Sequence, residues 1–214
     1  MMRRLLPAVG VLVAACSNIA SPAVNDIYEY RAFEFGDTLA FHWPRELLPV
    51  RIWVAADSPI RPYVVTAISR WQDAFLYGEF RATLVADSST ADVIVRNTPS
   101  DVGGVLLRRP ILARAPQCNG ETDPSLDPSS KTVQLPMHLF MYAVVSDAVP
   151  GIPACYSITM THEVGHVIGI LAHSPHSDDV MFANPEFDGI SDRDRQTAIT
   201  LYHRPSTVTV TGRR

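Results

Sequence analysis

Residues 50–56 place Val50, Ile52 and Val54 on one face, the period-two pattern of a half-buried strand. Ser58 and Pro59 then offer a helix cap and a first helical residue. Val64, Ile68, Trp71 and Phe75 recur at helical spacing until Gly78 stops the run. Residues 80–86 and 91–96 predict two more strands. From 103 to 130 the chain is rich in Gly, Pro, Asp and Ser, which predicts a long loop region with one short strand at 105–107; residues 132–135 predict another strand. Ile158, Val164, Val167, Ile168 and Ile170 then wall in a polar trio on a predicted helix, and Gly169 can end that helix with a left-handed turn. A last helix is capped by Ser191 and runs through Leu201 and Tyr202. Ile27, Tyr28, Tyr30, Phe33 and Phe35 make residues 17–38 too apolar for a pure linker, so part of that segment is expected on the body; the polar tail 205–214 is expected to fray. No internal repeat is present, and the mixture of short strands with separate helices predicts an α+β fold.

Composition narrows the partners. Of 214 residues, 47% are hydrophobic and 19% charged, which excludes a mainly disordered chain and suits one domain. A net charge of −4 argues against a nucleic-acid partner, which would call for a basic face. No apolar run approaches the ~18 residues a spanning helix requires.

The N-terminus reads as an address. Met-Met-Arg-Arg precedes an apolar stretch that ends Leu12-Val13-Ala14-Ala15-Cys16. Small residues before a Cys resemble the lipobox of bacterial lipoproteins, which implies lipidation of Cys16. Ser17 rather than Asp after that Cys implies sorting to the outer membrane. Cys118 and Cys155 then remain in an oxidising compartment, where two cysteines are expected to pair.

Thr161-His162-Glu163-Val164-Gly165-His166 carries the candidate chemistry. Two histidines four apart project from one helix face and can share a metal ion. Zinc accepts imidazole nitrogen and in catalytic sites keeps one position for water, and Glu163 beside the first His can take a proton from that water. The apolar neighbours argue against two surface histidines, because buried His and Glu demand partners.

The run from 158 to 203 resembles the matrixin branch of the metzincin zinc endopeptidases. That pattern is His-Glu-x-x-His-x-x-Gly-x-x-His-Ser, a Met-turn, and a helix opening Leu-Ser-x-x-Asp and ending Leu-Tyr. His162, Glu163, His166, Gly169, Met181, Asp194, Leu201 and Tyr202 match it, and His173-Ser174 keeps the spacing to Met181. The resemblance implies a metzincin-like zincin fold: a twisted mixed sheet with an active-site helix and a C-terminal helix. It implies one catalytic Zn2+ held by His162, His166 and His173, with Glu163 as general base. One extra residue separates Gly169 from His173, so His176 stands as the reserve ligand and Asp178 as a further competitor. The segment that holds the family's structural zinc has no counterpart. Asp123 and Asp127 are the loop acids from which a calcium site would have to be built, and solvated turns account for them more simply.

The expected organisation is a lipoprotein signal peptide at 1–15, a lipidated tether and lead-in at 16–38, a catalytic domain at 39–204 and a flexible tail at 205–214. The expected function is zinc-dependent endopeptidase action on peptide or protein substrates by zinc-activated water, in a monomer held on the bacterial cell envelope by a lipid anchor. The alternatives are a non-catalytic envelope lipoprotein stapled by zinc, or a zinc amidase acting on cell-wall peptides.

Overall fold

The computed structural model describes residues 27–98, 118–143 and 151–212. The predicted signal peptide, Cys16 and the strand at 105–107 lie outside those residues, as does the side chain of Cys118.

A hairpin of β1 (Ala32–Glu34) and β2 (Asp37–Leu39) leads into β3 (Val50–Val54), α1 (Arg61–Asp73), β4 (Ala82–Val85) and β5 (Val93–Thr98). After these come β6 (Cys118–Asp123), β7 (Leu126–Asp127), β8 (Thr132–Gln134) and β9 (Met137–Ala143). The chain closes with α2 (Ile152–Ile168), α3 (Asp192–Tyr202) and β10 (Thr209–Thr211). The main sheet has the order β4-β3-β5-β9-β6, with every pair parallel except β6 against β9. The fold is thus α+β with a mixed sheet. Val50, Ile52 and Val54 of β3, Val93 and Val95 of β5, and Met137, Leu139 and Met141 of β9 are buried in one cluster with α1 and α2. No helix of the described residues is long and apolar enough to cross a membrane.

Several boundaries differ from those the sequence predicts. α1 begins at Arg61 with Ile60 as N-cap and no side-chain cap, because Ser58 uses its carbonyl to accept from the Arg61 N–H in a turn instead. That helix ends at Asp73, and Gly78 bends the following loop with φ +66°. The tail does not fray up to residue 212: β10 pairs in parallel with β8, and Val208 is buried. Thr207-Val208-Thr209-Val210-Thr211 is itself an alternating stretch, so a strand signal is present in a segment whose polarity predicts a frayed end. The lead-in is also part of the body from residue 27 onward, with Tyr28 buried and the Tyr30 carbonyl accepting from Leu171 N–H at 2.8 Å.

Two strands central to the site go beyond those the sequence predicts. β9 has core residues on one side and the stacked His138, Phe140 and Tyr142 on the other, so its sequence shows no period-two contrast. β6 reads Cys-Asn-Gly-Glu-Thr-Asp, which looks like loop; its strand geometry comes from pairing with β9.

Candidate metal centre

α2 carries the polar trio into the core. Its C-terminus is closed by Gly169 at φ +117°, and a Cβ there would lie 2.1 Å from the Phe41 carbonyl oxygen, so only glycine fits. Gly165, between the two helical histidines, is equally constrained: a Cβ would meet Met181 Sδ at 2.2 Å and Trp71 Cζ2 at 2.9 Å. Met181 is fully buried and therefore forms the floor under the helix at this point.

The structure brings His162, His166 and His173 together, with one ligand atom from each within 4.8 Å of the others. His176 is exposed, and its backbone N–H donates to Ser174 Oγ. Asp178 is exposed and paired with Arg193. The extra residue before His173 is absorbed just after the helix: the Ile170 N–H donates to the Gly165 carbonyl at 3.1 Å, and Leu171 is tied to Tyr30. The return of the loop is fixed by Ser174 N–H donating to the Met181 carbonyl at 2.8 Å and by Ser174 Oγ donating to buried Asp179 at 2.5 Å. Asp179 in turn accepts from Ser191 Oγ and pairs with Arg193. Asp194 completes this frame through the α3 capping box, accepting from Val180 N–H at 2.9 Å and from the Tyr28 hydroxyl at 2.7 Å.

The imidazoles are oriented as metal ligands are. His162 Nδ1 lies 2.7 Å from the Val180 carbonyl oxygen, and His166 Nδ1 lies 2.6 Å from that of Ile170. A carbonyl oxygen only accepts, so each Nδ1 must carry the proton and donate it. Burial lowers the pKa of His162 from 6.5 to about 4 and that of His166 to about 3, so both rings are neutral near pH 7. Neither Nε2 then carries a proton, yet the two Nε2 atoms face each other at 3.1 Å. Opposed lone pairs repel, and a cation between them removes the repulsion. Burial also lowers the pKa of His173, which is the exposed member of the trio.

Glu163 is 4% exposed, and burial pushes its carboxyl up to about 8 against the opposing hydrogen bond from Thr122. That bond runs from Thr122 Oγ1 to Glu163 Oε2 at 2.7 Å. The trio and Glu163 open into a cleft of about 880 Å³, walled by β6 on one side and by residues 183–186 on another. Sequence reasoning missed the β6 contribution to this wall; the only signal for it was the apolar run at 137–143, which supplies the strand that β6 pairs with. Asp123 and Asp127 close turns by accepting from Ser125, Ser129 and Ser130 backbone N–H groups.

These shifts make the site's contribution to the stability of chelator-treated protein depend on pH. Glu163 has a raised folded-state pKa, so its contribution is complete below 4.5 and is lost as pH rises through about 8. His162 and His166 have lowered ones, so their contributions are intact above 6.5 and are lost as pH falls toward about 4 and 3. Between 4.5 and 6.5 two histidines outweigh one glutamate, and above 6.5 only the glutamate changes. The site therefore favours a maximum near pH 6.5, measurable as the urea midpoint at a series of pH values; a midpoint that climbs steadily to pH 8 would contradict it.

No protein-family model matches the sequence, and no curated protein matches it either.

Proposed function

We propose that the protein is a zinc-dependent endopeptidase with a metzincin-like fold. The observation that carries this reading is the buried Glu163 beside three convergent imidazoles, at the floor of an open cleft. Zinc–nitrogen bonds of about 2.0–2.1 Å at tetrahedral angles separate ligand nitrogens by about 3.3 Å. The 3.1 Å spacing of the His162 and His166 Nε2 atoms suits that geometry, and His173 would supply the third nitrogen. His162, His166 and His173 would hold the ion, and zinc there would supply a Lewis acid able to polarise a carbonyl and lower the pKa of a water molecule.

This chain's own residues do the rest. The Val180 and Ile170 carbonyls hold His162 and His166 as Nδ1–H tautomers, leaving each Nε2 lone pair for the ion. Glu163 accepts a proton from the attacking water and delivers it to the departing amine. A cation beside Glu163 favours its carboxylate form and so counteracts burial. Among the described residues β6 lies at one edge of the sheet, and it lines the cleft, so an extended peptide can pair with its backbone. The mixed sheet, α2 with Gly169 at its end, and Met181 beneath Gly165 support the metzincin-like reading of the fold.

A purely structural zinc would draw on four protein ligands. The trio supplies three, and the cleft leaves its remaining side open. The deciding experiment loads the protein with zinc and offers it a broad peptide library with and without chelator. Cleavage at internal bonds that chelator abolishes is expected; a zinc-replete protein that cleaves nothing would refute the reading.

The same proposal includes a lipid anchor at Cys16, residence on the bacterial envelope at the outer membrane, a monomeric state, and a Cys118–Cys155 disulfide. Cys155 sits in the first turn of α2 and lines the cleft, and Cys118 opens β6. A bridge between them would close a loop of nearly 40 residues and stabilise the fold by about 3–4 kcal/mol in the chain-entropy model. Mass spectrometry of the mature protein without reduction tests both modifications, expecting an acylated Cys16 and a cross-linked Cys118–Cys155 peptide. An unmodified N-terminus, or two free thiols, would remove the corresponding part.

A further inference from the structure

Residues two apart in a strand face the same side. In β6, Gly120 lies opposite Met141 and Thr122 opposite Leu139, and both of those β9 side chains point into the core shared with α2. Gly120 and Thr122 therefore face α2, and each meets Glu163. The Thr122 hydroxyl has one hydrogen and two acceptors within reach, Glu163 Oε2 at 2.7 Å and the Glu163 main-chain carbonyl at 3.1 Å. It ties the end of the side chain back to the residue's own backbone. At Gly120 a Cβ would lie 2.5 Å from Glu163 Cγ, 2.5 Å from Oε1 and 2.7 Å from Cδ, closer than any real Cβ contact. Gly120 does not adopt a left-handed conformation, so the glycine serves space rather than backbone geometry. Glycine inside a strand weakens it, and a close approach by another group is a recognised reason for finding one there.

We infer that Gly120 and Thr122 form a socket that holds the Glu163 carboxylate in one orientation, so that strand β6 sets where the proposed general base stands. The catalytic consequence rests on the peptidase reading, whereas the socket itself does not. Both are positioning residues, since each acts through Glu163. α2 fixes only the Cα of Glu163; three side-chain torsions separate that atom from the carboxylate oxygens. Thr122 removes that freedom by a directed bond, and Gly120 by leaving a gap that the end of the Glu163 side chain fills. Misplacing a reacting group by about 1 Å can cost a hundredfold in rate, which gives the socket its scale.

The test uses zinc-loaded protein carrying Thr122→Val, Thr122→Ser or Gly120→Ala, with two readouts: crystal structures of the variants, and kcat and KM on a peptide that the unaltered protein cleaves. Thr122→Val keeps the shape and loses the donor. It is expected to retain zinc, to show Glu163 rotated from its place, and to lose about ten- to a hundredfold in kcat while KM stays within about twofold. Thr122→Ser restores the donor and is expected to restore both the rotamer and kcat. Gly120→Ala is expected to displace the carboxylate outright. Glu163 unmoved in Thr122→Val with unaltered kcat, a Ser variant as impaired as the Val variant, or Glu163 still in place in Gly120→Ala would each overturn the socket. If the unaltered protein cleaves no peptide, the peptidase reading falls, and the crystallographic positions of Glu163 decide the socket without it. If Gly120→Ala fails to fold, the Val and Ser pair decides.

Discussion

Glu163→Gln is expected to bind zinc as the unaltered protein does and to lose about 10²–10⁴-fold in kcat, the range attributed to a positioned general base. The substitution is nearly isosteric, and the amide oxygen can still accept from Thr122 Oγ1. His162 and His166 keep the partners that orient them, since neither the bond to the Val180 carbonyl nor that to the Ile170 carbonyl involves Glu163. What disappears is the buried carboxyl beside the trio, the group proposed to take a proton from water. Metal content by elemental mass spectrometry and kcat on one cleaved peptide separate the two contributions. A zinc-replete Gln variant with unaltered turnover would sink the mechanism, whereas loss of the metal would mean that Glu163 belongs to the ligand set.

His173→Ala is expected to empty the site, and His176→Ala to leave it full. The two residues are three apart in one loop, yet only His173 joins the cluster on α2. The His173 loop is held from both sides, by Leu171 on the Tyr30 carbonyl and by Ser174 on the Met181 carbonyl. Removing the imidazole leaves two protein ligands on one helix turn, too few for a stable zinc site. Thermal unfolding reads the difference. Free metal at a thousand times Kd adds about 4 kcal/mol to stability, so chelator should lower the midpoint of the unaltered protein and of His176→Ala alike. The His173→Ala midpoint should not respond to chelator. A His176→Ala protein that lost its chelator response would reassign the third ligand.

His162, Glu163 and His166 are legible in the sequence because their chemistry is local. Helical spacing alone puts the two histidines on one face, and the apolar residues around them announce burial. Gly169 is legible as a helix end for the same reason. The strand at β3 is readable because one of its faces is in the core and the other is less buried. β9 and β6 are not, the first because both of its faces are apolar and the second because its sequence is polar. Their pairing is a long-range hydrogen-bond pattern that no window of the chain contains. The tail misleads in the opposite way, since its Thr and Val alternation needs β8 as a partner before it has meaning.

Local sequence alone was enough for a helix carrying two candidate ligands and a candidate base, a glycine to end it, and a capped final helix bearing Asp194. Those features depend on residues within a turn or two of one another. Only the tertiary structure decided that His173 rather than His176 joins the cluster, that Val180 and Ile170 carbonyls fix the tautomers, and that Thr122 and Gly120 of an unforeseen edge strand close around Glu163. Each of these relations except the Ile170 bond joins separate segments of the chain, and even that bond depends on how the loop leaves α2. Backbone carbonyls and a glycine's missing side chain act through position in space, and position is set by the packing of α2 against the sheet and the frame of Asp179 and Asp194.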